Sequence, residues 1–125
     1  MIDHVSIPVG DLKGSKDFYS KILAPLGLTI LVERERSIGF GKKYPEFWLN
    51  ERPNLDTQPN NSGCHICLRA ATIHAVTEFH DTAVIEGGKS DGAPGNRHAA
   101  MTPYFGAFIL DADGNKIEAA CFPKK

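Results

Sequence analysis

The segment Asp3-His4-Val5-Ser6-Ile7 returns later in the chain as Cys64-His65-Ile66-Cys67-Leu68. The two histidines are 65 − 4 = 61 residues apart, and Phe18 and Phe79 keep the same offset (79 − 18 = 61). A chain of 125 residues that repeats itself at half its length is built from two copies of one unit. Each copy must then fold into the same small motif. The duplication also sets His4 and His65 at equivalent points of the halves. A metal or ligand site at a pseudo-twofold axis can arise in this way.

Within the first copy, Val5, Ile7 and Val9 alternate with His4, Ser6 and Pro8, which predicts a half-buried strand. Asp11 suits the N-cap of a following helix, whose apolar stripe is Leu12, Phe18, Tyr19, Ile22 and Leu23. Pro25 and Gly27 stop it. Residues 28–32, 37–41 and 46–50 read as three further strands, and the polar, Pro- and Asn-rich residues 53–63 as a linker. The expected division is therefore repeat 1 over about 1–52, the linker, and repeat 2 over about 64–123, all within a single domain of residues 1–125.

Repeat 2 has the same order. His65–Ala70 alternates, with Ile66 and Leu68 on one face and His65, Cys67 and Arg69 on the other. Thr72 caps a helix bearing Ile73, Val76, Phe79 and Ala83, with His74 and His80 expected on its exposed side, and Gly87-Gly88 ends it. Residues 89–103, rich in Gly and Pro, predict one short strand within a mobile loop. Residues 104–110 form a strong strand. Asp111-Ala112-Asp113-Gly114-Asn115 is a hairpin turn with Gly114 at positive φ, and residues 116–122 return as the last strand. The fold class is α+β: two tandem βαβββ modules whose curved mixed sheets form a cleft or half-barrel.

Composition narrows the function classes. A net charge of −1 gives no basic field for nucleic acid or anionic lipid. No apolar run approaches the ~20 residues of a membrane-crossing helix. With no basic segment and apolar core at the start, a cytoplasmic location is the default expectation. Three cysteines, an odd number, speak against a disulfide framework. Cys64 and Cys67 form a C-x-x-C, but on a strand rather than at the helix N-terminus that redox motifs use, and they read as small core or half-buried residues. Gly88-Lys89-Ser90 looks like the end of a phosphate-binding loop, yet Ala83 stands where the first glycine is needed.

Each helix must cover one face of its sheet. The apolar sets Val5/Ile7/Val9, Ile66/Leu68 and Ile117/Ala119/Cys121 should meet the helices, leaving the opposite faces to line a cleft. His4, His65 and Glu118 all fall on that side by alternation. A glutamate between Ile117 and Ala119 is costly to bury unless it is paired or bound to a metal. A lone histidine at a strand end is more often a polar residue bonded to its neighbours than a ligand; the repeat equivalence and Glu118 are what raise this set above that reading.

These segments resemble the vicinal oxygen chelate superfamily, the group of glyoxalase I, bleomycin-resistance proteins and extradiol dioxygenases. The resemblance rests on His4-Val5-Ser6-Ile7, on Asp11-Leu12-x-x-Ser15-x-x-Phe18-Tyr19, on His65-Ile66-Cys67-Leu68, and on Phe108 to Glu118, the most specific stretch. It implies His4, His65 and Glu118 as metal ligands, with Glu118 also catalytic. Two imidazoles and a carboxylate suit Zn, Ni, Mn or Fe(II) with positions left open for substrate. The glyoxalase I pattern has a fourth acid in the last strand of the first half. Aligning Pro53 with Pro123 puts Trp48 there, and Glu46, two residues earlier on the same face, is the candidate fourth acid.

The implied function is a metal-dependent lyase, isomerase or dioxygenase acting on a small substrate with vicinal oxygens. Trp48 and Tyr104 would shape the pocket, and Arg69 or Arg97 would read an anionic group, although Arg97 lies in the expected loop, where a solvated role is equally natural. The competing reading is a metal-free drug- or toxin-binding protein of the bleomycin-resistance type, for which Trp48, Phe105 and Phe108 would supply the aromatic walls. Either expects a small-molecule ligand and a homodimer, with modules paired within one chain or across two.

Overall fold

A computed structural model describes residues 1–59, 62–98 and 101–123. Asn60 and Asn61 of the expected linker, Ala99 and Ala100 of the expected loop, and Lys124 and Lys125 lie outside the described residues. The order is β1 (Val5–Val9), α1 (Leu12–Leu23), β2 (Thr29–Glu33), β3 (Ser37–Gly41), β4 (Pro45–Glu51), β5 (Ile66–Arg69), α2 (Ile73–Ile85), β6 (Lys89–His98), β7 (Pro103–Leu110) and β8 (Lys116–Cys121). A short 3-10 turn, Ala24–Leu26, follows α1.

The expected βαβββ repeat is present in both halves. The first sheet has the order β1-β4-β3-β2 and the second β5-β8-β7-β6, with β1 parallel to β4, β5 parallel to β8 and the other pairs antiparallel. A parallel first pair needs a long crossover, and the helix with its hairpin supplies it in each half. Asp11 caps α1 by accepting from the Gly14 amide at 3.2 Å, and Thr72 caps α2 by accepting from the Ala75 amide at 3.0 Å.

Alternation assigns the faces. Ile7, Val9, Phe47, Leu49, Ile38 and Phe40 of the first sheet share one core with Ala107, Ile109, Ile117 and Ala119 of the second. The helices add Tyr19, Ile22, Leu23, Val76, Phe79 and Ala83 to it. Both helices pack on this side and on each other. The opposite faces are left free, which is the curved, unclosed sheet the sequence predicts.

Three expectations fail. Residues 89–98 form one ten-residue strand rather than a short strand in a loop. Irregularities between Ser90 and Gly92 and between Gly92 and Gly95 absorb the extra residues while pairing with β7 continues. Bulges of this kind hide a strand from period-two reading. His80 is buried, not exposed: Nδ1 donates to Asp81 at 3.0 Å, and Nε2 accepts from the Ser90 hydroxyl at 2.7 Å. The strand, longer than expected, packs on α2. His74 is exposed, as expected, and pairs with Glu78 at 2.6 Å. Cys64 and Cys67 are both exposed rather than core, because Cys64 precedes β5 and Cys67 faces the open side of the short strand, although the Cys67 thiol itself is partly covered beside Glu118.

The Asp111–Asn115 turn does more than reverse the chain. Gly114 has φ +83°, as predicted. The Asp111 carboxylate accepts from the amides of Asp113 and Asn115 at 2.9 and 2.8 Å, and from Asn115 Nδ2 at 2.9 Å. Asn115 Nδ2 also donates to the Pro8 carbonyl at 2.8 Å, and Asp113 Oδ1 accepts from the Gly10 amide at 3.1 Å. The turn of the second module thus fastens the β1–α1 corner of the first.

Candidate active site

Strand register defines the site. Cys67 stands opposite Glu118 in the second sheet, and Ser6 stands opposite Trp48 in the first. Because Ser6 and Cys67 are 67 − 6 = 61 residues apart, Trp48 and Glu118 are repeat equivalents. The next strand completes an exchange of sizes: Trp48 pairs with Gly39, whereas Glu118 pairs with Phe108.

Glu118 is 3% exposed, within a strand otherwise apolar at Ile117, Ala119 and Ala120. A carboxylate so buried requires partners. His65 Nε2 donates to Oε1 at 3.0 Å, and the Tyr104 hydroxyl donates to Oε2 at 2.5 Å. Gly106 leaves room for the second bond, since a Cβ there would meet the Tyr104 ring at 2.8 Å and Glu118 Oε2 at 3.1 Å. The hydrogen bond to Glu118, then burial, push the Tyr104 phenol up to about 12. Burial first, and then the Glu118 charge, push the Cys67 thiol up to about 12. Both therefore stay protonated at neutral pH and face the carboxylate as donors.

Arg97 belongs to this site through β6, where it pairs with Tyr104 in register; it is not a loop residue. Its guanidinium lies over the Phe108 ring at 5.2 Å, and Nη2 donates to the Ala93 carbonyl at 2.6 Å. Its Nε is buried with no hydrogen-bond partner among the described residues. Lys116 lies over the same ring at 4.8 Å, and His65 meets it edge-on at 5.5 Å. Phe108, paired with Glu118, thus lies on the open face of the second sheet, whereas Phe105 packs against the core. Arg69 is stacked on Phe122 at 4.4 Å.

His4 lies apart from Glu118. Its Nδ1 donates to Asp3 at 2.8 Å on an exposed strand end. His4, His65, Cys67, Arg69 and Glu46 all line a cleft of about 520 Å3 along the seam between β1 and β5. His65 Nε2 and Glu118 Oε1, 3.0 Å apart, fit two adjacent ligands of one ion bonded at about 2.0–2.2 Å each. Among the described residues no three His, Cys, Asp or Glu side chains converge within this chain. One chain thus brings together two of the three expected donors.

Sequence reading missed Arg34, whose guanidinium lies over Trp48 at 5.2 Å, and Lys116 over Phe108. Lys116 had a signal, two residues before Glu118 on the same strand face. Arg34, just beyond β2, had none.

The paired βαβββ units, the helix-free concave face and the buried glutamate in the last strand define a glyoxalase-like protein. The model of the Glyoxalase/Bleomycin resistance protein/Dioxygenase superfamily matches residues 1–119, and the chain belongs to that superfamily. A glyoxalase/bleomycin resistance protein from Albidiferax ferrireducens T118 is similar over 98% of this chain and 99% of its own, at 29% identity and a TM-score of 0.86. A glyoxalase/bleomycin resistance protein/dioxygenase from Alicyclobacillus acidocaldarius shares the fold at 16% identity and a TM-score of 0.70, covering 99% of this chain and 92% of that one. A genomically encoded fosfomycin resistance protein from Listeria monocytogenes does so at 15% identity and 0.69, covering 98% and 93%. No curated protein matches the sequence. No described helix is long and apolar enough to cross a membrane.

Proposed function

We propose that this protein is a metal-dependent enzyme, a lyase, isomerase or dioxygenase acting on a small substrate with vicinal oxygens. The observation that carries the reading is Glu118: a carboxylate 3% exposed, in an apolar strand, bonded to an imidazole at 3.0 Å and a phenol at 2.5 Å. A buried charge held this way is expensive for a protein that only shelters a ligand, and burial combined with a specific partner is what chemical sites use.

In this reading His65 and Glu118 hold a divalent ion, Zn, Ni, Mn or Fe. His4 joins them when a first-module face closes over a second-module face, as it would in a homodimer. When bound, such an ion acts as a Lewis acid on the substrate oxygens. Tyr104 holds Glu118 in one orientation, and its hydroxyl, protonated at neutral pH, is a donor to Glu118 Oε2. Arg97 lies over Phe108, the cross-strand neighbour of Glu118, and would hold an anionic group of the substrate.

The test is metal analysis of protein purified without a tag. Stoichiometric divalent metal is expected, lost in Glu118→Gln and His65→Ala variants that remain folded. Metal-free protein whose stability chelators leave unchanged would overturn the reading in favour of a binding protein. The feature favouring that second reading is Trp48, an aromatic where the repeat places an acid in the other half.

A further inference from the structure

We infer that the concave face of the first module is a subsite for a planar organic carboxylate, seated on Trp48 and read by Arg34. This goes beyond the metal-dependent reading and does not need Glu118.

The first-module face carries a hollow of about 370 Å3, lined by His4, Ser6, Arg34, Ser37, Trp48 and Asn50 among others. Trp48 is the floor. It can lie flat against the sheet only because its neighbour is Gly39: a Cβ there would meet the indole at 3.0 Å. The Arg34 guanidinium carbon lies over the ring, 5.2 Å from its centroid. A cation–π contact uses the charge of a guanidinium and not its N–H donors, which remain for the fork that matches a carboxylate. Among the described residues no carboxylate lies within ion-pair distance of Arg34. The carboxylate at the hollow, Asp3, is held by His4 at 2.8 Å.

An unpaired guanidinium over an indole, beside two serines and an asparagine, selects for charge and flatness together. The negative group meets Arg34, a conjugated or aromatic body packs beside it on the part of the indole that the guanidinium does not cover, and ring substituents find Ser6, Ser37 and Asn50. The second module repeats the device with Arg97 over Phe108, so a ligand closed between two such faces meets a cation on an aromatic at each end.

Trp48 is the sole tryptophan, so its emission reports this hollow alone. The experiment titrates the full chain with benzoate, with benzamide (flat, uncharged) and with cyclohexanecarboxylate (charged, not flat). Benzoate is expected to change Trp48 emission saturably, with the other two at least about tenfold weaker, and Arg34→Gln should abolish the preference for benzoate over benzamide. Glu118→Gln should leave benzoate binding unchanged, which keeps this test apart from that of the metal site. Equal responses to benzoate and benzamide, no response to any of the three, or an Arg34→Gln variant that binds benzoate like the parent would each overturn the inference.

Discussion

Tyr19 and Asp111 lie 92 positions apart in the chain, and the hydroxyl of the first donates to the carboxylate of the second at 2.6 Å. Tyr19 is fully buried in α1; Asp111 opens the turn between β7 and β8. The bond ties the helix of one module to the hairpin of the other, where Asp111 already accepts from Asp113 and Asn115.

Tyr19→Phe removes a donor from a buried carboxylate and should destabilise the protein by about 1–3 kcal/mol, read from the urea midpoint. The loss should depend on pH. Burial, then Asp111, raise the Tyr19 phenol well above its ordinary 10.0. A raised value means that the folded state holds the proton more tightly. The contribution is therefore complete below pH 10 and declines as pH rises through the folded value. Between neutral pH and the alkaline range, stability of the parent should fall more than that of Tyr19→Phe. Parallel declines would contradict this account of the bond.

Gly106→Ala tests how Glu118 is positioned. The new methyl would stand 2.8 Å from the Tyr104 ring and 3.1 Å from Glu118 Oε2, so Tyr104 must leave its bond. The expected cost is about 1–3 kcal/mol. Tyr104→Phe should cost less, and the double variant should cost clearly less than the sum, because both changes remove one contact. Strict additivity in thermal or urea unfolding would show that Gly106 acts elsewhere.

Cysteine reactivity should run against simple exposure. Cys64 and Cys67 are exposed and Cys121 is buried. The Cys67 thiol is pushed up to about 12 by burial and Glu118, so little of it is thiolate at neutral pH. Iodoacetamide followed by peptide mapping should label Cys64 first, with Cys67 several-fold slower despite its surface position and Cys121 slowest. Fast labelling of Cys67 near pH 7 would show that Glu118 does not bear on it as described.

The repeat, the two helices with their caps and the face of nearly every strand were legible because they depend on local periodicity, which one sequence displays directly. The equivalence of Trp48 and Glu118 was legible for the same reason, and the register of Ser6 with Trp48 and Cys67 with Glu118 agrees with it. The full extent of strand β6 was not legible. Bulges at Gly92 and Gly95 break its alternation, and its pairing with β7 supplies the order that composition hides. His80 was misread with it, since a residue on a helix is exposed or buried according to what packs there.

Sequence alone determined two βαβββ modules and which side chains of each turn towards its helix or away from it, because side-chain direction along helices and strands follows from backbone period. Tertiary structure alone decided which of those side chains meet. Glu118 finds His65 and Tyr104, while His4 turns to Asp3 and Arg34 settles on Trp48. Such meetings depend on twist, bulges and the seam between two sheets, and these are properties of strands packed together rather than of any one of them.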